Sequence, residues 1–345
     1  MFDPKILSQK LAAIQKDRNI AGMTVAVTDS KGIIYNEAFG VDNMERPEVK
    51  AGTDSVFRIA SVTKMFTGTL IMQLCEQGKV ELDAPVKKYL PWLKLRKSKA
   101  TETLTVRHLL THTGGFFGDG AWTSKEGTRD EDGIENTLRT ILPWVELKAM
   151  PEDKVHIYSN IGYALLGQIA ASVTGGSYSQ AVQDNILTPL GMNKATFDFY
   201  IAATYPYSRP HLRGENGELT VLHDLRRGSL YTASGGLYSD SADLCKMARM
   251  FLRGGIADSG ERVLGEDTLK LMQGKHMPRD NGDFYGFATV VHPLGDGEIY
   301  GHGGSNLPYN TGVYYDYRSG LGVVVLMNTE AADLRVAIPE MIFEM

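Results

Sequence analysis

Little in this 345-residue chain points to a disulfide scaffold, a membrane span or a nucleic-acid interface. Its two cysteines, Cys75 and Cys245, fall in separate apolar segments without Cys-x-x-Cys spacing. They are expected to be small buried side chains, which mildly favours a reducing compartment. No apolar run approaches the roughly 18 residues that a spanning helix needs. A formal net charge of -5 offers no basic surface for nucleic acid or an acidic membrane.

The first residues of the chain, 1–6, lack the basic region and following apolar run of a signal peptide. The sequence as given therefore predicts a cytoplasmic protein, and a periplasmic or secreted location is the alternative if a leader was removed. No feature of the sequence sets the oligomeric state.

Several catalytic signatures are missing as well. The histidines are scattered, without a His-Glu-x-x-His motif or a cluster of carboxylates at ligand spacing, so no metal and no cofactor are expected. The absence of a Gly-x-Ser-x-Gly elbow counts against an alpha/beta-hydrolase. No glycine loop that would cradle a phosphate is present either. The partners that remain are small-molecule substrates.

Hydrophobic periodicity and turn residues place strands at both ends of the chain and helices in the middle. Residues 24–40 and 312–327 each predict a hairpin around a glycine-bearing turn, and further strands are predicted at 287–291 and 298–300. Helical spacing predicts helices over residues 5–18, 61–76, 105–110, 134–144, 161–173, 178–187, 241–252 and 331–344.

These elements predict an α+β fold, in which both chain termini form one antiparallel sheet flanked by the terminal helices. A helical subdomain is inserted between the two halves of the sheet. The chain is then a single domain over 1–345, with a sheet subdomain at approximately 1–60 and 275–345 and a helical subdomain at approximately 61–274. A catalytic cleft is expected at the junction, where ligand sites tend to occur.

The segment from Ser61 to Glu76 is apolar on nearly every face, which is typical of a buried helix. Ser61 lies at its N-terminal end, where free N–H groups favour developing negative charge. Lys64 lies three residues later, on the same helix face. A serine hydroxyl needs a base to become a nucleophile, and a poorly solvated lysine can act as one.

Two further motifs accompany Ser61-x-x-Lys64. Tyr158-Ser159-Asn160 opens another apolar helix, and the segment His302-Gly303-Gly304-Ser305 precedes a strand-rich C-terminus. In this order the three motifs resemble the class C beta-lactamase and penicillin-binding-protein superfamily, in particular its branch of esterases, D-aminopeptidases and D-alanyl-D-alanine carboxypeptidases. The resemblance covers roughly residues 20–330.

This resemblance implies a role for each motif. Ser61 would be the nucleophile, with Lys64 and Tyr158 as its proton carriers. Asn160 would hold Lys64 and bind the substrate's amide. The cleft wall would consist of His302, Gly303, Gly304 and Ser305. In this wall, His302 would tune Tyr158 and the glycines would let the substrate approach. The backbone N–H groups of Ser61 and Ser305 would form the oxyanion hole.

Plainer interpretations exist for the same residues. Ser61 can simply cap a helix while Lys64 reaches solvent, and Tyr158 can pack while Asn160 caps the next helix. His112 is more readily interpreted as a buried structural hydrogen-bonder than as a catalyst. His156 is left out of the site, because neighbouring residues in an extended segment point apart.

The third motif departs from the family pattern at Gly303. Many members carry a threonine there, whose hydroxyl binds the substrate carboxylate together with the preceding cation. Its absence favours esters or small D-amino-acid amides and predicts weak or no beta-lactamase activity. The alternatives are a penicillin-binding or sensor protein with negligible turnover, and a true class C-like beta-lactamase or D-Ala-D-Ala carboxypeptidase. Aromatic runs at 116–122 and 197–207 are candidates for either a substrate pocket or core packing.

Overall fold

The structure is a computed structural model and describes residues 3–116, 132–223, 229–306 and 308–345. In chain order, α1 to α12 are Pro4–Asp17, Thr63–Glu76, Ser98–Thr103, Val106–Leu110, Asp132–Ile141, Asn160–Thr174, Tyr178–Val182, Phe199–Ala202, Thr232–Gly235, Ser241–Leu252, Glu266–Met272 and Leu334–Phe343. The strands β1 to β12 are Gly22–Thr28, Ile33–Gly40, Phe57–Arg58, His211–Arg213, Leu219–Val221, Tyr238–Ser239, Met277–Pro278, Phe284–Tyr285, Val290–Leu294, Gly297–Asn306, Tyr309–Asp316 and Leu321–Met327.

Among the described residues, the two ends of the chain build one eight-stranded sheet. Its order is β2-β1-β12-β11-β10-β9-β8-β7, and every neighbouring pair is antiparallel. The N-terminal strand β1 lies beside the last strand β12, with Val25 opposite Val325. The predicted sheet from both termini is confirmed.

The central strands are apolar on both sides because both faces of the sheet are covered. In β12, Val323 and Val325 pack in the cluster that contains α1 and α12, whereas Val324 and Leu326 belong to the larger core with the remaining helices. This alternation follows from the period of two in a strand. We call the α1 and α12 side the back of the sheet and the opposite side the front.

Helix α2 lies in the front core, and every residue from Thr63 to Leu74 is buried. A helix that is apolar on all sides has no face for solvent, so the predicted buried helix is confirmed. Helix α10 also packs against the front, on β1, β11 and β12. The predicted division into sheet and helical subdomains stays a prediction.

Several predicted elements have different bounds in the structure, and two of these differences concern where an element begins. The strand predicted at 287–291 begins only at Val290, because residues 286–289 form a turn in which Gly286 N–H bonds to the Thr289 carbonyl. The helix predicted from residue 61 opens as a 3-10 turn over Ala60–Val62. Of the aromatic run at 116–122, only Phe116 lies in the described part, where it is buried. No helix within the described ranges is long and apolar enough to cross a membrane.

Candidate active site

Hydrogen bonds join the turn that carries Ser61 both to Leu237, just before β6, and to β11. The Ile59 N–H donates to the Leu237 carbonyl (2.9 Å), and the Ile59 carbonyl accepts from the Thr311 hydroxyl on β11 (2.7 Å). Ala60 adopts a φ of 49°, which is uncommon for a residue with a side chain. These contacts fix the direction in which Ser61 leaves the turn.

Gly304 on β10 allows this turn to approach the sheet. A Cβ at this position would lie 2.4 Å from the Thr311 hydroxyl and 2.5 Å from the Ile59 carbonyl oxygen, so no side chain fits without displacing backbone. The sequence analysis assigned Gly304 to the cleft wall on the ground that glycine permits close approach. In the structure, the close partner is the Ala60–Val62 turn that carries Ser61.

Lys64 is fully buried, and its ammonium donates hydrogen bonds to at least three uncharged oxygens. The acceptors are the Ser61 hydroxyl (3.2 Å), Asn160 Oδ1 (2.7 Å) and the Ser234 carbonyl (2.8 Å). The structure therefore brings Ser61, Lys64 and Asn160 together, and the plainer interpretation that Lys64 reaches solvent is wrong. Ser234 was missed, because a backbone carbonyl leaves no signature in the sequence.

Tyr158 lies at the edge of this group and is 38% exposed, whereas Lys64 has no exposed surface. The Lys64 Nζ stands 4.8 Å from the centroid of the Tyr158 ring. A phenol in this position is accessible to solvent and close to the Lys64 ammonium. These are the properties that a proton carrier between substrate and lysine requires.

His302 is buried and uses both ring nitrogens within the protein. Its Nδ1–H donates to the Gly303 carbonyl (2.6 Å), and its Nε2 accepts from the Tyr285 hydroxyl (2.9 Å). Burial, together with the charge of Lys64, lowers the pKa of His302 to about 3, so the ring is neutral near pH 7. Its ring centroid lies 6.4 Å from that of Tyr158. Tyr285 was missed by the sequence analysis.

Among the described strands, none pairs with the far half of β10 on its β9 side, beside the turn that carries Ser61. Strand β9 pairs with β10 only as far as Gly301, whereas β11 pairs with it up to Asn306. Ser305 lies on this open stretch and is exposed, and β10 contacts the Ala60–Val62 turn. The oxyanion hole formed by the N–H groups of Ser61 and Ser305 stays a prediction, to which this edge is suited.

Gly303 faces the back of the sheet, where Arg335 of α12 occupies the space that a side chain would take. A Cβ on Gly303 would lie 2.9 Å from Arg335 Cδ and Nε and 3.3 Å from the Tyr314 hydroxyl. Within the described part of the chain, the Arg335 side chain has no hydrogen bond or ion pair. The sequence analysis missed Arg335, which belongs to no motif.

The fold and this site together define a serine hydrolase of the kind that pairs its nucleophile with a buried lysine. Comparison with known sequences agrees, since the Beta-lactamase family matches residues 7–342, and the chain belongs to that family. The chain is 31% identical to "Penicillin-binding protein 4" of Amycolatopsis lactamdurans over 281 residues, which are 79% of this chain and 70% of that protein.

Solved structures share the fold over nearly the whole chain. The octameric penicillin-binding protein homologue from Pyrococcus abyssi has a TM-score of 0.81 at 25% identity, covering 98% of this chain and 77% of that one. EstCE1, a hydrolase with promiscuous acyltransferase activity, has a TM-score of 0.80 at 22% identity, covering 97% and 98%. The predicted family and fold are confirmed.

Proposed function

We propose that the protein hydrolyses esters and small amides, including those of D-amino acids, through an acyl-enzyme on Ser61. One observation carries the proposal: a fully buried lysine holds the Ser61 hydroxyl at 3.2 Å and is itself oriented by Asn160. A lysine so placed is close enough to exchange a proton with the Ser61 hydroxyl.

The reaction runs in two balanced halves. Ser61 Oγ attacks the substrate carbonyl carbon while its proton passes to the Lys64–Tyr158 pair, and the tetrahedral oxyanion is held by backbone N–H groups. The pair then protonates the leaving alcohol or amine as its bond to carbon breaks. A water molecule repeats the sequence on the acyl-enzyme, releasing the acid and restoring Ser61.

The ester and amide preference rests on the cleft wall. His302 is neutral with both nitrogens occupied, so it offers no charge-assisted hydrogen bond to a substrate carboxylate. Gly303 has no hydroxyl to add one, and its open side is toward Arg335. Hydrogen bonds to charged groups contribute about 1.5 to 3 kcal/mol, and their loss costs roughly ten- to hundredfold in rate. Substrates without a carboxylate lose nothing by this arrangement.

Covalent labelling tests the proposal directly. A fluorophosphonate should add one label per chain, detected by intact mass, and Ser61→Ala should abolish it. The matched control is Ser305→Ala, which keeps the backbone N–H of an exposed cleft residue and should still be labelled. Labelling of the Ser61→Ala variant under the same conditions would show that another residue is the nucleophile.

A second candidate function is favoured by Arg335. Its guanidinium lies beside Gly303 without an acidic partner among the described residues, and such a group binds carboxylates well. The protein would then be acylated by substrates or beta-lactams that carry a carboxylate, as penicillin-binding proteins are.

Two measurements separate these functions. Steady turnover of nitrocefin after the burst indicates an enzyme, whereas one equivalent released without turnover indicates a penicillin-binding protein. In addition, Arg335→Gln should slow nitrocefin acylation at least about tenfold and leave p-nitrophenyl butyrate unchanged if the second function is correct. The control is Arg318→Gln, whose side chain pairs with Asp296 and Asp316.

A further inference from the structure

His112 contacts the segment that carries Tyr158 in three places. Its carbonyl oxygen accepts the Ile157 N–H (2.8 Å), its Nδ1 accepts the Ser159 N–H (3.1 Å), and its ring centroid lies 4.2 Å from that of Tyr158. The residue is buried, with 1% of its surface exposed. It is thus the structural hydrogen-bonder that the sequence analysis favoured.

The backbone of His112 is held in an unusual conformation for this purpose. Its φ of 59° lies in the left-handed region that residues with a side chain seldom adopt. Such strain persists only where the surrounding structure enforces it, and it concentrates at functional sites. Here it directs the ring and the carbonyl of one residue to the same neighbouring segment.

The hydrogen bond to Ser159 fixes the protonation state of the ring. Because Nδ1 accepts an N–H, the proton must be on Nε2, which is buried and has no partner among the residues that the structure describes. Protonation of Nδ1 would set two donors against each other. Burial, followed by the charge of Lys64, lowers the pKa of His112 well below its ordinary value, in agreement with a neutral acceptor.

The bonded amide lies between the two side chains that surround Lys64. Ser159 also accepts the Gly162 N–H through its hydroxyl (3.1 Å) and so begins α6. Tyr158 precedes it in the chain, and Asn160, which holds Lys64, follows it. A displacement of the Ser159 amide would therefore move both of these side chains relative to Lys64.

We propose that His112 is a positioning residue whose Nδ1, through the Ser159 N–H, holds Tyr158 in the direction that proton transfer requires. The inference rests on the proposed function for the role of Tyr158, but the hydrogen bond itself can be tested without turnover. It differs from a catalytic role, in which the ring would exchange a proton through Nε2.

Three substitutions distinguish the two nitrogens. His112→Asn places its side-chain oxygen where Nδ1 stands and tolerates a positive φ. His112→Gln places its oxygen one bond further out, near Nε2. His112→Gly relieves the positive φ and removes the ring, and with it the Nδ1 acceptor. With p-nitrophenyl butyrate, we expect kcat within about threefold of wild type for the Asn variant and at least about tenfold lower for the other two, with KM changed less than about twofold.

Matched controls separate positioning from stability. His156→Gln alters a neighbouring ring, 5.7 Å from that of His112 between centroids, and should leave kcat unchanged. In a Tyr158→Phe background, the Gln and Gly substitutions should cause a much smaller loss than in the wild type, because one of the two groups they misplace is already absent. Full additive losses in that background, or a Gln variant more active than the Asn variant, would overturn the proposal.

Amide hydrogen exchange at Ser159 gives a readout that is independent of activity. The exchange rate should rise at least about tenfold in the Gln and Gly variants and stay near wild type in the Asn variant. An unchanged rate in the Gln and Gly variants would refute the hydrogen bond even if activity falls. If the wild-type protein neither labels nor hydrolyses, the proposed function fails, while this measurement still decides whether His112 holds the segment.

Discussion

His302 and His292 lie on the neighbouring strands β10 and β9, but the fold shifts their pKa values in opposite directions. His302, on the front, is surrounded by Tyr285 and Tyr158, and its pKa falls to about 3. His292 bridges Asp283 Oδ1 and Glu340 Oε1 of α12, each at 2.6 Å. The hydrogen bond to Asp283, opposed by partial burial, raises the pKa of His292 above its ordinary value.

The difference shows how each face of the sheet is held together. Paired charges join α12 to the edge of the sheet near His292, where the side chains are partly exposed to solvent. Around Ser61, uncharged oxygens and close backbone contacts surround one buried cation, Lys64. A histidine in that region adds no second charge, so in the proposed mechanism the proton chemistry is left to Lys64 and Tyr158.

The largest effect is expected from removing that chemistry from the front. Lys64→Ala and Tyr158→Phe should each lower kcat for p-nitrophenyl butyrate by at least about a hundredfold, the usual scale for a positioned proton carrier. The double variant should lose little more, because residues that act as a unit share one transition state. A double variant that loses the full product of both factors would show that the two act independently.

The second largest effect is expected at the close contact between β10 and the turn that carries Ser61. Gly304→Ala should lower kcat by about ten- to hundredfold, because its Cβ would displace the Ile59 carbonyl or the Thr311 hydroxyl. Gly32→Ala is the control, since a Cβ there meets nothing within 4 Å. Thermal unfolding should be followed in parallel, and a Gly304→Ala variant with normal kinetics would refute the tight contact.

His302→Lys adds a second cation, besides Lys64, to the front of the sheet. It should raise nitrocefin acylation relative to p-nitrophenyl butyrate hydrolysis by about tenfold, because a carboxylate then gains a charged partner. Adding Gly303→Thr tests the missing hydroxyl, although this side chain must first displace Arg335. An unmoved ratio in both variants, or a wild type that already prefers nitrocefin, contradicts the proposed cleft wall.

The smallest effect is expected on the back, where His292→Gln should change stability and leave kcat unaltered. A pKa raised by folding contributes stability that is complete below the ordinary pKa, about 6.5, and is lost as the pH rises through the raised value. Urea unfolding should therefore show a loss of about 1 kcal/mol at pH 6 that fades at alkaline pH. His223→Gln, at an exposed pair with Glu45, should show little change.

Motifs in the sequence predicted the parts of the site whose side chains do chemistry. Ser61, Lys64 and Asn160 were predicted from the order of their motifs and the resemblance it carries, and they meet in the structure. The supports were not predicted, because Thr311 and the Ser234 carbonyl act on residues far away in sequence and have no local pattern. Likewise, the charge states of His302 and His292 depend on neighbours that only the fold supplies.

Strand boundaries show the same limit. The apolar run at 287–291 predicted a strand, yet Ala288 adopts a φ of 58° and the segment turns before β9. The run is apolar because Phe287 and Ala288 are buried in the core, which a turn can achieve as well as a strand. The terminal hairpins were predicted correctly because glycine-bearing turns interrupt them.

The hydrogen bond between Thr311 and the Ile59 carbonyl also orders events in time, since its partners are 252 residues apart. Closing a loop of that length is slow and gains nothing until the contact forms. During synthesis, Ser61 and Lys64 leave the ribosome long before β10 and β11 exist to contact the turn that carries Ser61. The turn that carries Ser61 therefore gains this support only when the last part of the sheet has been made.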